Sequence, residues 1–221
     1  MLHVPVFPLN AVVFPGVVIP LHVFEDRYRA LVRDLRHIEA PSDRVFAIPA
    51  IREGYEVGSH GVQSMHRVGT LVQLSQVEAR PDGSIDIEVT GRHRVRIDAL
   101  HPTEEYLTAE VTDLADVDED AARPLAADVL ARFTSYAEAL ARLTGIHMDL
   151  AAAPGDPAYL SYWMAAMCPL ALHQRQTLLE ADSATDRLVL FDAMLRREIT
   201  AMNVVPSLPA TELARNRWSP N

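Results

Sequence analysis

Lysine is absent from this 221-residue chain; all 20 residues counted as Lys plus Arg are arginine. The absence removes several chemistries at once. A P-loop uses a lysine ammonium to reach the β- and γ-phosphates, a serine–lysine peptidase uses one to take the serine proton, and Schiff-base enzymes need a lysine amine. Arginine, with a pKa above about 12, stays protonated and serves none of these roles. Cysteine is nearly absent too. Cys168 is the only one, so no internal disulfide forms and no cysteine zinc site is available, and a reducing cytoplasm is the expected setting.

Long apolar runs are also missing. No segment approaches the run of about 18 uninterrupted apolar residues that a membrane span requires. The apolar opening from Leu2 to Phe24 has no basic start and is broken by Pro5, Pro8, Pro15 and Pro20, which reads as strands and turns and not as an export signal. Excess positive charge is missing as well. A formal net charge of -10 repels phosphate backbones, so nucleic acid is not the expected partner.

The remainder has a globular composition, 49% hydrophobic and 23% charged, which supports a packed core in one large or two small domains. The first half reads as β-structure with one inserted helix. Leu2 to Leu9 and Val17 to Val23 are strand-like and joined through the turn residues Phe14-Pro15-Gly16. From Phe24, Glu25 and Asp26 suit a helix start, and Tyr28, Leu31, Val32, Leu35 and Ile38 recur at helical spacing until Pro41. Val45 to Ile51 is a short apolar run, and the stretch holding Gly54, Gly58 and Gly61 reads as a loop. Gly69 to Ala79 and Ser84 to Thr90 form a hairpin around Arg80-Pro81-Asp82-Gly83. Gly91 then bends the chain into a separate strand, Arg92 to Leu100, and Tyr106 to Leu114 supplies another.

The acidic stretch Asp113 to Asp120 marks a boundary, beyond which helical signals replace strand signals. Leu125, Val129, Phe133, Tyr136, Leu140 and Leu143 make one stripe that Gly145 stops. Asp156-Pro157 opens a second helix ending before Pro169, Leu170 to Glu180 is a third, and Asp182 or Ser183 caps a fourth striped by Leu188, Phe191, Leu195, Ile199 and Met202. The expectation is an α+β chain with a small, mostly antiparallel β-barrel-like sheet over 1–115, a helical bundle over 120–203, and an extended tail, 204–221.

Three segments carry a family resemblance: Val4-Pro5-Val6-Phe7-Pro8-Leu9, Val13-Phe14-Pro15-Gly16, and Ile19-Pro20-Leu21-His22-Val23-Phe24-Glu25-Asp26-Arg27-Tyr28-Arg29. In this order they resemble the opening of Lon protease N-terminal domains. The resemblance continues through Val68-Gly69-Thr70, Asp82-Gly83 and Gly91-Arg92-His93-Arg94-Val95, and later through Gln176-Thr177-Leu178-Leu179-Glu180 with Arg187-Leu188. It implies a PUA-like β-barrel followed by a helical bundle, used to engage unfolded polypeptide. The chain reads as a stand-alone member that stops before any ATPase or peptidase domain. The expected role is therefore non-catalytic recognition or adaptor work connected with proteolysis, with no cofactor and no metal. The expected partners are exposed polypeptide segments, a protease or chaperone, and a second copy of the chain in a homodimer.

Candidate peptide-binding residues are Phe7, Leu9, Phe14, Pro15, Val17, Phe24 and Tyr28, although filling of the barrel accounts for most of these side chains. RNA binding through an arginine face of Arg92, Arg94 and Arg96 is the alternative, weakened by Asp86 and Glu88, which read as lying on an adjoining strand. His60 and His66 with Glu56 match no metal spacing. Cys168, near His173, reads as core and not as a nucleophile.

Overall fold

The computed structural model describes residues 2–52, 65–116 and 119–204. The stretch with Gly54, Gly58, Gly61, Glu56 and His60, and the tail around Trp218, lie outside them. The chain divides into two compact units, with the change at Ala115/Asp116.

The first unit is built on six strands: β1 (Leu2–Pro5), β2 (Val18–Val23), β3 (Val45–Ile51), β4 (Met65–Ala79), β5 (Ile85–Pro102) and β6 (Leu107–Leu114). All their pairings are antiparallel, in the order β1-β6-β5-β4-β3, with β2 attached to β5. Beyond β1 the chain makes two parallel bridges to β3, Val6 to Ala47 and Leu9 to Ala50. Between β2 and β3 lie α1 (Asp26–Arg36) and one short 3-10 turn, Pro41–Asp43.

Strand alternation sorts side chains into two cores. Phe46 and Ile48 of β3, Val72 and Leu74 of β4, and Ile87 and Val89 of β5 join Phe7, Leu21 and Val23 and the α1 residues Tyr28, Leu31, Val32 and Leu35. Ala47 and Leu71, one residue out of phase, join Val4, Val6, Val95, Ile97, Ala109 and Val111 in the other. Period two therefore places successive residues of β3 in different cores, which is why Phe46 to Ile51 is buried without interruption.

The structure corrects one sequence expectation here. β5 is a single 18-residue strand passing through Gly91, not two strands separated by a bend. Its first part pairs with β2 and β4 together, and its last part with β6. Asp86 and Glu88 thus share a strand with Arg92, Arg94 and Arg96 instead of lying beside it. Gly91 is needed because another backbone approaches it: an added Cβ would sit 2.3 Å from the Phe14 carbonyl oxygen. The hairpin turn is as expected, with Gly83 at φ 87 and its N–H donating to the Arg80 carbonyl at 3.1 Å.

Among the described residues the second unit has four helices: α2 (Glu119–Thr144), α3 (Pro157–Met167), α4 (Leu172–Glu180) and α5 (Ala184–Val204). α2, α3 and α5 pack on one another, and α4 packs on α3 and α5. The capping chemistry is local. Asp156 accepts from the Tyr159 N–H at 2.9 Å, and Ser183, not Asp182, accepts from the Asp186 N–H at 3.0 Å. Val129, Phe133, Tyr136 and Leu140 of α2 meet Leu188, Phe191 and Leu195 of α5 as buried stripes, whereas Leu143, expected in the stripe, is exposed one turn later where the helix runs out. Among the described residues no helix is long and apolar enough to cross a membrane.

Candidate functional site

Burial divides the predicted peptide-binding residues. Phe7, Phe14, Pro15 and Tyr28 are interior: Phe7 packs edge-on against Tyr28, with ring centroids 3.9 Å apart, and against Phe46. Burial pushes the Tyr28 hydroxyl up to about 12. These four side chains build the corner and do not reach its surface. Leu9 and Val17 are half-buried, and Phe24 is 50% exposed.

Around Phe24 lies a row that residue-by-residue reading missed. Val18 is 54% exposed and Pro20 is exposed, with half-buried His22 between Pro20 and Phe24, while Leu21 and Val23 on the opposite face are buried. The signal was present in Val18-Ile19-Pro20-Leu21-His22-Val23, where a proline inside an alternating run marks a strand with one unpaired side. β2 has β5 as its one partner among the described strands. The Gly91 N–H donates to the Val17 carbonyl at 2.9 Å, which turns the backbone groups of Val17, Ile19, Leu21 and Val23 toward β5. Those of Val18, Pro20 and His22 then point to the free edge, where proline's missing N–H costs nothing.

The neighbouring strand adds charge to this face. Opposite Val18, Pro20 and His22 on β5 stand Thr90, Glu88 and Asp86, and opposite Asp86 on β4 stands Glu78. His22 Nδ1 lies 2.7 Å from Asp86 Oδ1, and Arg80 Nε donates to Asp86 Oδ2 at 2.6 Å. Hydrogen bonds from His22 first, and then from Arg80, hold the Asp86 carboxyl below its usual range.

The arginines proposed for RNA do not form a stripe. Arg94 is 3% exposed and donates to the Ala115 carbonyl, while Arg92 donates to Gln73 and Arg96 to Asp98. Strand alternation does put the three on one side, but that side is covered at Arg94. His66 is half-buried in β4, and no group of three or more metal-ligating side chains among the described residues is suited to hold an ion.

Cys168 is 1% exposed, and burial pushes its thiol up to about 12. A thiol held this way is not a nucleophile near neutral pH. Iodoacetamide should therefore leave Cys168 unmodified in the folded chain and label it rapidly in denaturant, as read by intact mass.

A family model described as the ATP-dependent protease La (LON) substrate-binding domain matches residues 3–197. Lon protease of Escherichia coli strain K12 is 29% identical over 207 residues, which cover 92% of this chain and 26% of that protein. Lon protease 1 of Myxococcus xanthus is 26% identical over 206 residues, covering 92% and 25%. The chain thus spans about a quarter of the length of these curated relatives. A Lon N-terminal domain protein from Xanthomonas campestris has a crystal structure that superposes with a TM-score of 0.65 at 25% identity, covering 87% of this chain and 98% of that one. The N-terminal domain of Mycobacterium avium complex Lon protease, at 22% identity and a TM-score of 0.68 with 88% and 98% coverage, shares the fold. With the match running over nearly the whole chain, this protein belongs to the family of Lon substrate-binding domains.

Proposed function

We propose that this chain is a non-catalytic recognition module that captures exposed, extended polypeptide on the first unit, along the outer row and free edge of β2. The observation that carries this reading is the pairing of a strand edge with no second partner among the described strands with two half-exposed apolar side chains, Val18 and Phe24. An unfolded segment offers the two things such a surface lacks, unpaired backbone groups and apolar side chains. Val17 and Leu9, half-buried, lie off this row, Leu9 packing against the core, and the buried Phe7, Phe14, Pro15 and Tyr28 hold the shape of the corner. The family match supports the role, since the matching model is described as substrate-binding.

In this reading the parallel bridges from Val6 and Leu9 to β3 close the sheet into a PUA-like barrel over 1–115. The helices over 120–203 form a bundle, with 204–221 as a tail. The partners are polypeptide clients, with a protease or chaperone receiving them, and the setting is cytoplasmic. RNA binding finds no support in the buried and paired arginines of β5.

A reduced, carboxymethylated and fluorescently labelled client should give saturable anisotropy with the full chain. Changing Val18→Ser and Phe24→Ser together should weaken that binding about tenfold, the loss expected when part of two apolar side chains no longer leaves water. A client that fails to saturate, or one indifferent to both changes, overturns the reading.

A further inference from the structure

Resting on that reading, we infer that the segment taken up along β2 is cationic as well as apolar, with an arginine or lysine placed beside Glu88. Glu88 is half-buried and stands opposite Pro20 in the register. Its carboxylate makes no ion pair with any described residue, whereas its neighbour Asp86 is taken by His22 and Arg80. Pro20 is the low point of the outer row, because its ring has no reach away from the backbone. A strand paired to the free edge of β2 would lie two strand spacings from β5, about 10 Å. An arginine and a glutamate side chain span that gap together, passing over Pro20.

The surroundings favour the same sign. Glu78, exposed on β4, extends the acidic side of this face beyond Asp86, and the whole chain carries -10. A cationic segment is therefore steered toward the face, and an acidic one is repelled from it. Val18 and Phe24 supply apolar contact on either side of the charge, so the occupant is an extended segment alternating apolar and basic residues.

Three labelled peptides test this, each alternating valine with arginine, with glutamine or with glutamate, titrated into the full chain and its Glu88→Gln variant. Circular dichroism checks the fold of that variant. The arginine peptide should bind about fivefold more tightly than the glutamine peptide, the scale of one partly exposed charge pair. Glu88→Gln should erase that difference and leave the glutamine peptide unchanged. Equal binding of the arginine and glutamine peptides overturns the inference while leaving polypeptide capture intact, as does a preference that survives Glu88→Gln. Failure of all three peptides to bind removes capture itself.

Discussion

Replacing Arg187 by leucine is expected to cost the helical unit about 3–5 kcal/mol, the range for stranding one member of a buried ion pair. Arg187 has no exposed surface. Its guanidinium lies 3.7 Å from the Tyr162 ring centroid, donates from Nε to Ser161 Oγ at 2.8 Å, and pairs with Asp116 Oδ1 at 2.5 Å. Asp116 also accepts from the Tyr162 hydroxyl at 2.6 Å. One cation thus organises α3, α5 and the segment that leads into the unit. Leucine would fill part of the volume but take the guanidinium away from the Asp116 carboxylate, itself largely covered. Removing both charges with Arg187→Leu and Asp116→Leu should recover much of the loss, because the desolvation penalty disappears with the pair. Denaturant unfolding of the helical transition checks both statements. A single variant within 1 kcal/mol of the parent, on the order of a surface pair, would show that Arg187 does not hold this unit together.

Gly91→Ala should destabilise the first unit by about 3 kcal/mol, the upper end for forcing one methyl into filled space. The new Cβ would meet the Phe14 carbonyl oxygen at 2.3 Å and the Pro15 Cα at 3.1 Å. These are backbone atoms and cannot swing aside like a side-chain end. The Gly91 N–H bond to Val17 and the Gly16 N–H bond to Gly91, each 2.9 Å, would have to lengthen as the corner moves. Because those bonds set which backbone groups of β2 face outward, client binding should fall together with stability. Gly155→Ala is the matched control: nothing lies within 4 Å of its added Cβ, and the shorter list of unfolded conformations should leave it neutral or slightly stabilised. Thermal unfolding of the two variants side by side decides the matter.

What could be read from the chain beforehand was its local chemistry. The Asp156 cap, the Gly83 turn and the stripes of α2 and α5 each depend on residues within a turn or two of one another, and each stands where periodicity puts it. The errors lie where distant partners decide. Gly91 reads as a break, yet it is a point of close approach to a turn some 75 residues earlier, so β5 continues through it. Alternation groups Arg92, Arg94 and Arg96 correctly by side, but nothing local reveals that Arg94 is covered. Phe7 stands among the binding candidates, and Tyr28 of α1 and Phe46 of β3 cover it, while the exposure of Val18 goes with a strand that has one neighbour among the described strands.

The pairing of β1 with β6 sets a condition on how this unit is made. Leu2 has Val111 as its partner in the ladder, so β1 waits for β6 to be made before its ladder hydrogen bonds can form. Folding of such a sheet is governed by closure of long loops and is slow for its size. During that interval Val4 and Val6, which end fully covered, are bare apolar strand, and the unit passes through an exposed, extended state of its own before its sheet is complete.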